Sequence, residues 1–85
     1  MTDLRVMMHT RLLGATDTEG TRIHAWGPAG IRETVAYDYA LDPYENHERA
    51  ALECLRARGV RPVDVVHVQH LSGVHGYAFD VAYTD

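Results

Sequence analysis

Alternation of apolar and polar residues predicts two neighbouring strands in the first half of the chain. Residues 21–26 (TRIHAW) alternate between small or apolar side chains and larger ones that point the other way, and this two-residue period is typical of a β-strand with one buried side. The larger side chains are Arg22, His24 and Trp26. Residues 31–41 alternate in the same way, and the GPAG segment between them (27–30) is typical of a tight turn. The pattern therefore predicts a β-hairpin.

Three more segments have the composition of strands. Residues 4–13 are mostly apolar, residues 63–71 are rich in β-branched side chains, and residues 77–84 carry an apolar or aromatic residue at every second position. Each of these features is typical of a strand. Two segments rich in glycine and small polar residues, 14–20 and 72–76, predict turns next to them.

Residues 43–58 carry both the start and the stop signals of an α-helix. Asp42 can accept a hydrogen bond from the free amides of the first turn, and Pro43 fits the first helical position. Glu45, three residues after Asp42, can reach back to the cap amide and complete a capping box. Gly59 suits the left-handed residue that ends many helices. These signals predict one helix over this range.

The order of these elements, β-β-β-α-β-β, predicts an α+β fold, with an antiparallel sheet of about five strands and one helix packed on a face. A chain of 85 residues is short enough to form a single domain, residues 1–85. A strand at the edge of such a sheet has unpaired backbone groups, so edge pairing offers a route to a homodimer.

The charge of the chain bears on its partners. All eight basic residues are arginine, and the formal net charge is −4. Nucleic-acid binders usually carry a basic patch, so the sequence predicts no direct binding to nucleic acid and none to an anionic membrane surface. The sequence has no signal-peptide pattern, no run of ~18 apolar residues and a single cysteine. A cytoplasmic location is therefore expected.

Residue types suited to metal binding or nucleophilic catalysis are present, but their spacing does not favour either. Among the six histidines, His67 and His70 have the spacing H-x-x-H, which on a strand sends them to opposite faces. Cys54 lies in the middle of the helix on its apolar side, where a thiol behaves as a small hydrophobic group. Ser72 is the only serine, and it lies in a turn without a nucleophile motif. We predict no metal, no cofactor and no catalytic residues, so the chain is not expected to be an enzyme.

Two groups of residues are candidates for partner binding. The first contains carboxylates near the helix start, and its members are Asp38, Asp42, Glu45 and Glu48. A negative surface suits a partner that presents basic residues to nucleic acid, although acids near a helix start also favour the helix dipole. The second group is the outward strand face of Arg22, His24 and Trp26, because tryptophan and arginine are common at interfaces. A lone tryptophan equally suits the edge of the core.

Four short motifs occur together in the chain. They are TDTEGTRI (16–23), YDYAL (37–41), ENHERAA (45–51) and GYAF (76–79). In this combination the chain resembles small proteins encoded by bacteriophages, prophages and integrative elements. The resemblance implies a mobile-element product in the cytoplasm of a bacterial host, and it supplies no catalytic residues.

The resemblance leaves two functions open. The first is an inhibitor of the anti-CRISPR type, which binds a host defence complex, such as a Cascade-like CRISPR effector, by protein–protein contact and without catalysis. The second is a small accessory module of the mobile element, associated with metal or nucleic acid. The histidines favour metal within the second function, whereas the net charge disfavours nucleic acid.

Overall fold

The computed structural model of this protein describes residues 4–84. Within this range the elements are β1 (Leu4–Leu13), β2 (Arg22–Trp26), β3 (Arg32–Ala36), α1 (Pro43–Ala57), β4 (Arg61–Leu71) and β5 (Gly76–Thr84). The strands form one antiparallel sheet in the order β3-β2-β1-β5-β4, and α1 packs on one of its faces. The predicted α+β fold is confirmed. No helix in this range has the length and apolar character needed to cross a membrane.

The two faces of the sheet are unlike because α1 packs on only one of them. On the covered face, which packs against α1, apolar side chains of β1, β2 and β5 form the core with those of the helix. The fully buried core residues are Met8, Ile23, Ala25, Ala50, Ala51, Cys54, Leu55, Phe79 and Val81. Each large apolar side chain buried there contributes about 1.5–3 kcal/mol. The open face carries the alternate residues of each strand, and no helix or strand of the described range packs on it.

The helix begins where the sequence predicts. Asp42 has an extended backbone, and its Oδ1 accepts a hydrogen bond from the Glu45 N–H at 2.8 Å, so the predicted N-cap is confirmed. In the described range the Glu45 side chain forms no bond back to the Asp42 amide, so the capping box has only one of its two bonds. The helix ends at Ala57, with Arg58 as C-cap. Gly59 follows with a φ of 79°, the left-handed conformation that glycine adopts without strain.

The third strand ends at Ala36 rather than at Leu41, where the alternation predicts its end. The Tyr37 N–H makes the last backbone bond towards the start of β2, at 3.0 Å, and the chain then leaves the sheet. The amides of Ala40 and Leu41 both bond to Asp38, one to its carboxylate and one to its carbonyl. These turn bonds satisfy the backbone locally, and the strand prediction for this segment is therefore wrong.

β4 lies at one edge of the sheet and begins at Arg61, two residues before the predicted start. It includes Pro62, which an edge strand tolerates because one side of its backbone needs no partner strand. Its pairing with β5 shifts between Pro62 and Asp64 and again between Val65 and His67. Such bulges, like a proline, hinder the pairing of an edge strand with another chain. They disfavour a dimer through this part of β4, and the homodimer stays a prediction.

Candidate binding surface

Three aromatic rings stack against one another on the open face. His9 of β1 is directly opposite Trp26 of β2, and His24 comes two residues before Trp26 on the same strand. The ring centroids of His9 and His24 lie 5.6 and 5.5 Å from that of Trp26, and the ring planes are inclined by 17° and 21°. All three residues are partly exposed. The sheet thus presents a group of nearly parallel rings to the solvent.

Two arginines flank these rings. Arg32 of β3 is opposite Trp26, and Arg11 of β1 is opposite His24. Both arginines are exposed, and neither forms an ion pair or a side-chain hydrogen bond with another residue of the described range. We call this group the Trp26 patch, and its five members are His9, Arg11, His24, Trp26 and Arg32.

Neighbouring residues hold the patch in place at the β3 side. The Nδ1 atom of His24 lies 3.0 Å from Thr34 Oγ1, so a cross-strand hydrogen bond orients this ring. Next to the patch is an open concavity, which is also lined by Ile31 and Arg58. The Arg58 guanidinium donates to the Gly30 carbonyl at 3.1 Å and so connects the helix end to the turn between β2 and β3.

The remaining arginines on the open face of β1 and β2 are paired. Arg5 forms an ion pair with Asp80 at 3.1 Å, and Arg22 forms one with Glu19. Arg22 therefore lies on the same face as the rings, as its alternation predicts, but its charge is neutralised locally. Among the described residues, the arginines of β1, β2 and β3 that form no ion pair are therefore Arg11 and Arg32 of the Trp26 patch.

The carboxylates predicted to bind a partner lie around the start of α1, and three of the four accept local hydrogen bonds. Asp38 Oδ1 accepts from the Ala40 amide at 2.9 Å, and Asp42 caps the helix. Glu48 Oε2 accepts from the Tyr44 hydroxyl at 3.0 Å. These three carboxylates therefore stabilise the helix and the turn that precedes it.

Glu45 is the carboxylate of this group that accepts no hydrogen bond from an N–H or O–H group of the described range. The pKa of Glu45 is raised, first because its protonated form donates a hydrogen bond to the Asp42 carboxylate and then because the charge of Asp42 repels its ionised form. Burial raises the pKa of Tyr44, and the bond to Glu48 raises it further, which keeps the phenol as a donor. Within the acidic group, the charges of Asp42 and Glu45 therefore repel each other, and Asp42 already accepts a backbone hydrogen bond.

A buried asparagine, which the sequence pattern did not single out, closes the turn before the helix. Asn46 is fully buried, and its Oδ1 accepts from the Asp38 amide at 2.7 Å. Its Nδ2 donates towards the carbonyls of Asp38, Leu41 and Asp42 at 2.9, 3.3 and 3.1 Å. The one available signal was its position four residues after the Asp42 cap, since nothing in hydrophobic periodicity marks a polar residue as buried.

His47 is buried on the covered face, where it belongs to a bonded polar group. Its side chain is 4% exposed, and its Nδ1 lies 2.7 Å from Thr10 Oγ1. The same oxygen accepts from the Tyr77 amide at 3.2 Å, so the Thr10 hydroxyl connects the His47 ring to the backbone of β5. Burial lowers the pKa of His47, and the charge of His70 lowers it further.

The histidine pair with H-x-x-H spacing does not converge. His67 is opposite Asp80 on the open face, whereas His70 is opposite Tyr77 on the covered face, as the spacing predicts. Within residues 4–84 no three potential ligand side chains lie close enough together to hold a metal ion.

Cys54 packs in the core. Its Sγ lies 3.8 Å from the Ala25 carbonyl, to which the thiol donates. Burial raises the pKa of Cys54, and the negative charge of Glu33 raises it further, while Arg58 acts in the opposite direction. The reactive thiolate is therefore disfavoured at this position.

Comparison of the chain with known protein families, with curated proteins and with solved structures finds no match. The structure therefore gives the class of the protein but no family: it is a small α+β domain with one open sheet face. Its function has to be inferred from its own side chains.

Proposed function

We propose that this protein is a non-catalytic binding protein whose contact surface is the Trp26 patch. The supporting observation is that the patch combines nearly parallel aromatic rings with two arginines that have no partner in the described range. Tryptophan and arginine supply much of the binding energy at interfaces. A partner that covers the partly exposed rings would also remove apolar surface from water.

The state of the cysteine supports the non-catalytic part of the proposal. A nucleophilic cysteine needs access to substrate and a lowered pKa. Cys54 is 1% exposed, and burial raises its pKa. Its position favours packing over chemistry.

The Trp26 patch is a stronger candidate than the acidic helix start. Asp38 and Asp42 each already accept a backbone amide through one carboxylate oxygen, so a partner at these residues would have to share a carboxylate that the fold already uses. Arg11 and Arg32 give up no ion pair or side-chain bond of the described range when they bind a partner. The arginines can therefore give more net binding energy for each contact.

The target that we propose is a host complex that handles nucleic acid, such as a Cascade-like CRISPR effector in a bacterial cytoplasm. The resemblance to mobile-element proteins supports this choice, and an inhibitor of the anti-CRISPR type acts by covering a working surface. The accessory module of a mobile element stays the alternative function, and it would use the same patch for another partner.

The test measures binding of the purified 85-residue chain to a purified Cascade-like effector complex. Trp26→Leu and Arg32→Glu should each weaken binding about tenfold or more, as loss of a central interface residue does. Arg56→Glu is the matched control, because Arg56 is exposed in the last turn of α1 and the change in charge is identical. This control should bind like the parent chain.

The same assay separates the two candidate surfaces. A variant with Glu45→Lys and Glu48→Lys should retain binding through the Trp26 patch. If this variant loses binding while Trp26→Leu binds like the parent, the acidic helix start is the contact surface. If the parent chain does not bind the effector complex, the proposed target is wrong. Circular dichroism of every variant should confirm that the fold is retained.

A further inference from the structure

We infer that the ligand of the Trp26 patch is a single strand of nucleic acid, with bases stacked on the rings and phosphates on the two arginines. The inference rests on the proposed function, since it assumes that this patch is the contact surface. It also names the chemistry that the patch recognises, whether the strand is free or held by a larger complex.

The layout of the patch fits a strand that crosses the sheet. His9, Trp26 and Arg32 occupy one row across three neighbouring strands, and Arg11 and His24 occupy the next row. Strand spacing and residue rise place the Cα atoms of Arg11 and Arg32 about 12 Å apart, on opposite sides of the ring group. A strand whose bases lie on the rings would therefore have an arginine near its backbone at either end. Stacking of this kind accepts any base, because every base has a π-face.

The distribution of charge allows an anionic ligand here although the net charge of the chain is −4. On the open face, the carboxylate of Asp80 is paired with Arg5, and that of Glu19 is paired with Arg22. The acidic group at the helix start contacts the helix and its preceding turn instead of the patch. The prediction of no direct nucleic-acid binding used only the net charge, which carries no information on this separation.

A single strand suits the patch better than a duplex. In a duplex the bases are already stacked on one another, so the rings would have no free base face to contact. The two arginines of the patch also neutralise few phosphates, whereas duplex binding without base contacts depends on many. The rings must therefore supply much of the affinity, and this requires unpaired bases.

Trp26 is the only tryptophan of the chain, so its fluorescence reports directly on the patch. Titration with oligothymidylate or oligouridylate of about 20 nucleotides should quench the emission, with a dissociation constant in the range of about 10⁻⁶ to 10⁻⁴ M. A slope near −1.4 is expected for log K against log salt concentration, from about −0.7 for each of two phosphates. A duplex of the same length should bind more weakly.

Variants assign the signal to the patch. Arg32→Glu should weaken binding and reduce the salt slope by about half, whereas Arg56→Glu, with the same change in charge, should leave both unchanged. Trp26→Leu should bind a fluorescein-labelled strand at least about five times more weakly by anisotropy, as expected for loss of one stacking contact. Equal weakening by Arg32→Glu and Arg56→Glu would overturn the inference, because general charge would then explain the binding.

Other results would overturn the inference without touching the proposed function. A chain that gives no quenching and no anisotropy change at about 0.1 mM protein in low salt, yet binds the effector complex through Trp26 and Arg32, recognises protein. Duplex binding as tight as single-strand binding would exclude stacking. A dimer in light scattering that dissociates with Trp26→Leu would show that a second copy occupies the patch. Strand binding that depends on the patch, without capture of the effector complex, supports the inference and removes only the proposed target.

Discussion

On the covered face of the sheet, polar side chains bond to one another, whereas on the open face Arg11 and Arg32 have no such partner in the described range. Thr10 shows the first situation, since its hydroxyl accepts from the Tyr77 amide and shares a hydrogen bond with His47. Folding itself supplies the hydrogen-bond partners of polar side chains on the covered face. Arg11 and Arg32 contribute little to folding, and their guanidinium groups stay able to bind a partner molecule.

The helix start resembles the covered face in this respect, although its carboxylates are at the surface. Asp38 and Asp42 accept backbone hydrogen bonds, and Asn46 fills the space behind them. Exposure alone is therefore a poor guide to a binding surface. Substitutions on the covered face and at the helix start should change stability, and substitutions in the Trp26 patch should change binding.

The largest loss of stability is expected for Gly76→Ala. A Cβ atom at Gly76 would lie 1.8 Å from the carbonyl oxygen of Thr10, so β5 would have to move away from β1 where the Tyr77 amide reaches Thr10. Backbone displacement of this kind should cost about 3 kcal/mol or more, the upper end for overpacked sites. Gly14→Ala is the control, because no atom lies within 4 Å of the added Cβ there. Denaturant unfolding measures both, and equal stability of the two variants would contradict the close approach.

The second largest loss is expected for Asn46→Ala. The substitution leaves the partly buried amide of Asp38 without its acceptor and the turn carbonyls without their donor, which should cost about 1–3 kcal/mol. Glu45→Ala, one position earlier and exposed, is the control and should cost less than half as much. If Asn46→Ala unfolds at the denaturant concentration of the parent, the turn does not depend on this side chain.

How far the sequence predicts this molecule can be seen by comparing His24 with His9. The alternation of β2 places His24 and Trp26 on one face, because that face follows from residues two apart. His9 and Arg32 join them only through the pairing of β2 with β1 and β3. Local patterns do not state which residues become opposite, so three of the five residues of the Trp26 patch were not predicted.

The same limit explains the helix start. Asp42, Pro43 and Gly59 act on their own neighbours along the chain, so their roles at the two ends of the helix are readable from sequence. Asn46 bonds to the turn that follows β3, and this turn forms because β3 ends at Ala36. The alternation of residues 31–41 predicted a strand there instead of a turn. Hydrophobic pattern therefore predicted the fold class but not the bonds that set this boundary.

Loss of the helix cap should have an intermediate effect. Asp42→Ala removes the 2.8 Å bond to the Glu45 amide and should lower the free energy of unfolding by about 0.5–2 kcal/mol. Asp42→Asn keeps an acceptor oxygen and should recover most of the loss. Chemical denaturation of the three proteins gives the comparison, and an unchanged midpoint for Asp42→Ala would mean that the cap is not needed.

A smaller effect should appear as a dependence of stability on pH, through His47. Its pKa in the folded state is lowered, so below about pH 6.5 the unfolded chain binds a proton that the folded chain excludes. The stability that depends on a neutral His47 is therefore fully present above about pH 6.5. It is lost as the pH falls towards the lowered pKa of the folded state. The loss is about 1.4 kcal/mol for each unit by which the pKa is lowered.

His47→Gln isolates this contribution. When the pH is lowered below about 6.5, the free energy of unfolding should fall less for the variant than for the parent, because glutamine does not titrate. His67→Gln is the control, since His67 is exposed, and it should follow the parent. Parallel pH profiles for the parent and His47→Gln would show that burial of the ring does not oppose its protonation.

The smallest effect on stability is expected for the two arginines of the Trp26 patch, and it is the sharpest test of the difference between the faces. Arg11→Gln with Arg32→Gln removes two exposed charges that have no partner in the described range, so the free energy of unfolding should change by less than about 0.5 kcal/mol. Arg49→Gln is the control for an arginine that the fold already uses, because the Arg49 guanidinium donates to the Ala36 carbonyl at 2.7 Å. This control should lose about 1 kcal/mol.

The two variants should therefore behave in opposite ways. The double variant should keep its stability and lose binding at the Trp26 patch, whereas Arg49→Gln should lose stability and keep binding. If the double variant is destabilised as much as Arg49→Gln, then Arg11 and Arg32 have a role in folding. The open face would then be no freer to bind a partner than the acidic helix start, because its charges would already be committed to the fold.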